Sequence, residues 1–417
     1  MNLEVKRCRV CGSPHLAPVL DLGDQYLTGV FPNRRTPSLL RGPIQLFKCC
    51  GERPDDFCGL VQLRHTFPAR QLYGDTYGYR SGLNPSMSRH LHRKVEMLRR
   101  LVQVDRGDIA LDIGSNDGTL LAAYPADGPI LVGFDPSAAK FANHYRPDVA
   151  LVIDFFSADV FRARFGARKA KIITSIAMFY DLDAPQTFMN DVASVLAADG
   201  VWHFEQSYLP SMIEANSYDT ICHEHIEYYA FRQIEWMTRK AGLRVIDVEK
   251  NGTNGGSFAV TVAHEESGLS ANERGVESFR RAEAALELDA IEPWRALHER
   301  ILKHRDELLE FFSRLRREKK TIVGYGASTK GNVLLQFCGI TADMLPCIAE
   351  INEDKLGCCT PGTWIPIVSE EEARKMNPDY FLVLPWHFRD VITDRETEFR
   401  QHGGKLVFPL PKLEIVS

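Results

Sequence analysis

The sequence predicts an α/β protein in which two open sheets with flanking helices follow a small block stapled through cysteines. Two observations predict the sheets and one predicts the staple. Two apolar strands each run into a Gly-rich turn, Leu111-Asp-Ile-Gly-Ser-Asn-Asp-Gly118 and Val323-Gly-Tyr-Gly-Ala-Ser-Thr-Lys-Gly331. Around both turns, apolar runs of strand length alternate with segments of helical period, the pattern of a parallel sheet covered by helices. Five of the ten cysteines fall within the first 58 residues. A length of 417 residues suits two or three domains, and 44% hydrophobic residues is enough to give each its own core.

Residues 1–72 form the first unit, too small for a good core unless a metal supports it. Cys8-Arg-Val-Cys11-Gly is a knuckle whose two thiolates can share one zinc ion, and Cys58-Gly repeats its ending. Cys49 is preferred to Cys50 as the third ligand because Pro43–Lys48 leads into it as a strand. A Cys8, Cys11, Cys49, Cys58 set closes the coordination sphere and is structural rather than catalytic; buried unligated thiols are the alternative. Residues 73–268 form the second unit. It opens on an aromatic, Gly-rich loop containing Tyr77 and Tyr79, either a lid or a linker, and continues with a helix over 85–104. Residues 269–320 carry Glu and Arg three and four apart opposite Leu, Ile and Phe, a helical linker. Residues 321–417 contain four strands and form the second, smaller sheet.

The first turn carries the most chemistry. Ile109–Asp112 reads as a buried strand, a helix is expected near Thr119, and Gly114 and Gly118 allow close approach of a ligand. The spacing differs from the G-x-G-x-x-G dinucleotide fingerprint. About twenty residues on, a second strand ends at Asp135, placed to accept from ribose hydroxyls; a third ends at Asp154-Phe155-Phe156, suited to an exocyclic amine and an adenine face. This order resembles the class I S-adenosylmethionine-dependent methyltransferases, with Asp112, Gly114, Asn116, Gly118, Asp135, Asp154 and Phe155 as donor-binding residues. A dinucleotide site or an unliganded turn is the alternative.

Tyr218–Tyr229 gathers three carboxylates, two histidines and three tyrosines just after the strand around Val201–Glu205. His223 and His225 are two apart, not the four of a helical zinc pair, so a general base is the better reading. The second turn, Tyr325 to Asn332, opens a helix whose amides favour an anion, with Ser328, Lys330 and Asn332 as further donors. Glu350 ends the next strand and His387 follows a later one. A nucleotide-sugar diphosphate suits this site; a turn required only for packing is the alternative.

Together these features resemble the sugar C-methyltransferases that act on nucleotide-linked 4-keto-deoxysugars, including the 3′-C-methyltransferases. The resemblance rests on Cys8-x-x-Cys11 with Cys58-Gly-Leu-Val-Gln-Leu63, the Asp112–Gly118 turn, Glu224-His225 and Asn254-Gly-Gly-Ser257. It extends to the Tyr325–Gly331 turn, Pro361-Gly-Thr-Trp-Ile-Pro366 and Leu384-Pro-Trp-His387. It implies a zinc-binding domain, a Rossmann-like class I methyltransferase domain and a second Rossmann-like domain that helps to hold the nucleotide sugar. It also implies that His225, beside Glu224, abstracts the proton α to the ketone, with Tyr77, Tyr79 or His223 donating to the enolate oxygen. Tyr325, Ser328, Lys330, Asn332, Glu350 and His387 would then hold a dTDP- or GDP-linked substrate. The chain departs from the family at Met178-Phe-Tyr180, where a His can occur, and at Cys222, where a Tyr can occur.

A net charge of −5 without a basic stripe argues against nucleic acid, and no apolar run approaches a membrane span. The start lacks a signal-peptide core, so the expectation is a cytoplasmic monomer or homodimer. The rival functions are an O- or N-methyltransferase on a small metabolite and a nonenzymatic zinc- and nucleotide-binding module.

Overall fold

A computed structural model describes residues 3–35, 39–53, 56–68, 72 and 80–417. Tyr77 and Tyr79 lie outside the described residues. Among the described residues there are three sheets of four or more strands, and the largest has seven.

The seven-stranded sheet has the order Leu243–Asn251, Ser257–His264, Leu196–Ser207, Ala170–Ile176, Ile109–Ile113, Ile130–Phe134, Val149–Val152. Only Ser257–His264 runs against the others. Chain order reverses between Ile109–Ile113 and Ala170–Ile176, so a crevice opens at their carboxyl ends, where ligands of open α/β sheets bind. Ile109–Ile113 is buried along its whole length, as a strand covered on both faces must be. The helix Pro85–Leu101 starts where Asn84 accepts from the amides of Ser86 and Met87 with proline at its first position. Its Met87, Leu91, Val95 and Leu98 recur every three or four residues and are buried against the sheet. The helix expected near Thr119 is only a 3-10 turn, Leu121–Ala123. Pro125 stops it, because proline excludes helical geometry from the residue before it.

The amino-terminal sheet has the order Glu227–Tyr228, Val61–Leu63, Arg41–Cys49, Leu16–Tyr26, antiparallel throughout. Its edge strand therefore comes from far along the chain, within the His-rich stretch. The carboxyl-terminal sheet has six strands, ordered Ile367–Ser369, Ile348–Glu350, Ile322–Tyr325, Tyr380–Val383, Lys405–Phe408, Glu414–Val416. Ile367–Ser369 and Glu414–Val416 exceed the four expected; at three residues each, they are too short to show a period. The charged stretch forms two helices, Glu273–Ala284 and Glu292–Arg317. The first packs Val276 into the core of the large sheet; the second buries Trp294, Ile301, Leu308 and Phe312 with the carboxyl-terminal sheet.

Candidate active site

The Sγ atoms of Cys8, Cys11, Cys49 and Cys58 all lie within 4.8 Å of one another, with Cys8–Cys58 at 3.4 Å and Cys11–Cys49 at 3.5 Å. Four sulfurs each about 2.3 Å from one ion sit about this far apart, so the set fits tetrahedral zinc. Gly12 and Gly59, one residue after Cys11 and Cys58, share φ of 74°. The paired geometry explains the repeated Cys-Gly: each knuckle turns through a left-handed residue just past its thiolate. Cys50 points elsewhere, its thiol donating to the His15 carbonyl.

At the first turn, Gly118 has φ of 78° and an added Cβ would lie 2.8 Å from the Tyr145 ring. Tyr145 braces the turn from below, donating to the Asn116 carbonyl at 2.8 Å. Asp135 Oδ2 accepts from the Asn116 amide (2.9 Å), and Oδ1 accepts from the Ser137 amide and hydroxyl. Burial raises the Asp112 pKa to about 7, against the hydrogen bond donated by Thr174. Ser81 and Gly82 donate backbone amides to the Asn116 and Asp117 side chains, so the chain rejoins the described structure at the turn itself. Asp154 and Phe155 are exposed beyond the end of Val149–Val152, while Phe156 packs edge-on against Phe134 and Phe188.

His225 Nδ1 lies 2.9 Å from the Thr220 carbonyl oxygen. A carbonyl only accepts, so Nδ1 carries the proton and Nε2 keeps its lone pair. Burial draws the pKa down to about 4, against the Thr220 hydrogen bond and the Glu224 charge and with the Lys330 charge. The ring is thus neutral at physiological pH. It stands edge-on to Tyr180, with centroids 4.6 Å apart. Tyr180 belongs to the 3-10 turn Phe179–Asp181, and the preceding Met178 packs on Gly114, where a Cβ would meet it at 3.1 Å. One short turn therefore touches both the Gly-rich loop and the imidazole. His223 is engaged elsewhere: its Nε2 faces the Gly42 carbonyl of the amino-terminal sheet at 3.1 Å.

The carboxyl-terminal unit reaches the same region. Lys330 donates to the Asn254 carbonyl at 2.5 Å, and an added Cβ on the neighbouring Gly255 would lie 3.4 Å from Trp386 and 3.6 Å from His387. Trp386 Nε1 donates to Asp219 at 2.7 Å. Burial and the Lys330 charge push the His387 pKa well down, and Asp219 is held above the usual carboxylate range by burial, with Lys330 opposing. Ser328 accepts from the Gly331 amide, Asn332 donates to the Thr28 carbonyl at 2.7 Å, and Glu350 accepts from the Ala327 amide at 2.9 Å. Tyr325 stands apart from these residues. Its hydroxyl donates to Glu396, and its ring packs on Phe381 inside the carboxyl-terminal core. Sequence reasoning missed Asp219, Thr28 and Gly29. The Gly29 amide donates to Glu224 at 3.0 Å across 195 residues, a contact no local pattern carries.

Among the described residues no helix is long and apolar enough to cross a membrane. Three family models match in succession: a zinc binding domain over residues 8–73, a methyltransferase domain over 87–248, and a C-methyltransferase C-terminal domain over 252–411. C-methyltransferase NovU of Streptomyces niveus is 28% identical over 420 residues, spanning 99% of this chain and 97% of that protein. Solved structures align more weakly. The 1,6-didemethyltoxoflavin-N1-methyltransferase of Burkholderia thailandensis matches at TM-score 0.36 and 14% identity, over 52% of this chain and 98% of its own. N-methyltransferase NodS of Bradyrhizobium japonicum matches at TM-score 0.34 and 13% identity, over 48% and 96%. The succession of models over nearly the whole chain, the end-to-end likeness to NovU and the four-thiol cluster identify an S-adenosylmethionine-dependent methyltransferase with a zinc-binding amino-terminal domain, similar along its length to a C-methyltransferase.

Proposed function

We propose that the protein methylates the carbon next to the ketone of a nucleotide-linked 4-keto-6-deoxy sugar, with His225 as the base. The observation that carries this reading is the turn Met178–Asp181, which packs on Gly114 at one end and on the His225 ring at the other. A carbon held against that turn can be reached by Nε2 from one side and by a donor methyl from the other. Such an arrangement replaces a bimolecular encounter with fixed geometry. S-adenosylmethionine, when bound, supplies the electrophilic sulfonium methyl; Asp112, Gly114, Asn116, Gly118, Asp135, Asp154 and Phe155 would hold it.

His225 takes the α proton on Nε2 while Nδ1–H remains fixed on the Thr220 carbonyl, and the Glu224 carboxylate favours the imidazolium that forms. The developing enolate oxygen needs preorganised donors. Tyr77 and Tyr79 are candidates. Lys330, His387, Ser328 and Asn332 line the opposite wall and suit a diphosphate, with Glu350 bracing their turn. Residues 1–72, 73–268, 269–320 and 321–417 would act as zinc-binding, donor-binding, linking and nucleotide-sugar-binding parts of a cytoplasmic monomer or homodimer.

The test is proton exchange. Incubated in D₂O with a dTDP- or GDP-linked 4-keto-6-deoxy sugar and S-adenosylhomocysteine, the enzyme should wash out the α proton, and His225→Gln should slow this by about 10²–10⁴-fold, the usual contribution of a positioned base. Methyl transfer to oxygen or nitrogen without exchange would establish the O- or N-methyltransferase reading instead.

A further inference from the structure

We propose that Thr28 and Gly29, on the amino-terminal unit, are positioning residues for the Glu224–His225 pair, and that the helix following the carboxyl-terminal turn holds them in place. The inference rests on the reading of His225 as base and goes beyond it, because it gives the zinc-binding unit a part in the chemistry.

The Glu224 carboxylate is seated by this unit through both oxygens. Oε1 accepts from the Gly29 amide at 3.0 Å, and Oε2 from the Thr28 hydroxyl at 3.3 Å. Gly29 leaves space for it: a Cβ there would lie 2.7 Å from Oε1, closer than any real carbon tolerates. A side chain here would push the carboxylate aside, so the glycine leaves it room. A carboxylate held by two donors is fixed in direction.

The same short segment is fastened to the carboxyl-terminal unit. Asn332 donates to the Thr28 carbonyl at 2.7 Å, and Gln336 one helical turn on exchanges two bonds with the Tyr26 backbone, at 2.8 and 3.2 Å. Cys359 donates to the Pro32 carbonyl at 2.7 Å. Asn332 and Gln336 lie on the helix Thr329–Cys338, which the Gly-rich turn opens. A contiguous series of contacts therefore runs from that turn through Asn332 and Thr28 to the Glu224 carboxylate, whose charge acts on the imidazole of the next residue. Substrate gripped at the turn would steady the base it presents to the sugar.

The test needs no substrate. In protein labelled with ¹⁵N-histidine, the His225 ring is assigned by its loss in His225→Gln and titrated against pH. Glu224 and Lys330 are the charged groups acting on this ring, beside the Thr220 carbonyl and the Tyr180 ring. Glu224→Gln removes the anion and moves the midpoint down. Thr28→Val and Gly29→Ala should move it the same way by a measurable part of that shift. Thr28→Ser should restore it, with zinc content and thermal midpoint as in the parent. With active substrate, Thr28→Val should lower kcat by about tenfold, part of what a positioned base supplies, and leave KM nearly unchanged. If Gly29→Ala does not fold, Thr28→Val carries the test. Midpoints identical in Thr28→Val and the parent, while Glu224→Gln shifts, would overturn the inference and leave the proposed reaction standing. Absence of α-proton exchange in the parent would sink the reaction independently.

Discussion

The two Gly-rich turns are built alike and used differently. Each follows a buried parallel strand, and each pivots on a glycine with nearly the same φ, 77° at Gly114 and 78° at Gly326. Each is braced by a carboxylate at the end of the neighbouring strand, Asp135 accepting from the Asn116 amide and Glu350 from the Ala327 amide, both at 2.9 Å. Beyond that they diverge. The first turn is fastened within its own unit, by the Ser81 and Gly82 amides and the Tyr145 hydroxyl. The second also reaches other units: Lys330 donates to the Asn254 carbonyl and Asn332 to the Thr28 carbonyl. One fold element is thus a cradle kept within one unit in the first sheet and a cradle that doubles as a clasp between units in the second. Likeness of fold does not carry likeness of use.

The comparison can be tested, beginning with the largest effect. Stripping the metal with a chelator, or replacing Cys49 with Ala, should unfold the amino-terminal sheet and abolish turnover, since zinc ligation can supply on the order of 10 kcal/mol to a domain this small. Calorimetry should still find S-adenosylmethionine bound, because the first turn is braced by Asp135 and Tyr145 rather than by the amino-terminal sheet. Next, Asp135→Ala should weaken donor binding by about 10- to 100-fold, the scale of losing hydrogen bonds to a buried charge. Glu350→Ala should leave donor affinity within about twofold; equal losses in the two variants would erase the distinction between cradle and clasp. Lys330→Met should raise KM for the nucleotide sugar by about tenfold with donor affinity unchanged, since it removes one charged contact from the second turn only. The smallest effect concerns pH. With the His225 pKa at about 4, Nε2 is already unprotonated between pH 6 and 8, so α-proton exchange should be flat there and fall only as pH drops toward 4. An acid limb at 6.5 would mean that the closed cleft does not shield the ring.

Much of this was legible in the chain, and the reasons differ by element. The interior parallel strands Ile109–Ile113, Ile130–Phe134 and Ala170–Ile176 of the large sheet announce themselves as apolar runs, because burial on both faces leaves little room for alternation. Both turns and the cysteine knuckles are local, so their residues stand together in sequence. What stayed hidden depends on distant partners or on brevity. The two residues Glu227–Tyr228 have no period and become a strand only because Val61–Leu63 offers its edge. The withdrawal of Tyr325 into the core follows from Glu396, 71 residues away. Thr28 and Gly29 carry no signature; their significance is visible only when Glu224 is laid against them.

That two-residue edge strand bears on how such enzymes can be recombined. Ile226, between His225 and the strand, receives the Leu63 amide on its carbonyl and gives its own amide to Tyr180. Grafting the first seventy residues from a relative would therefore replace the anchors of the His225 loop at Thr28, Gly29, Gly42 and Leu63 along with the cysteine cluster. Chimeras cut at that boundary should fold and bind zinc yet turn over poorly, unless residues 218–229 travel with the graft.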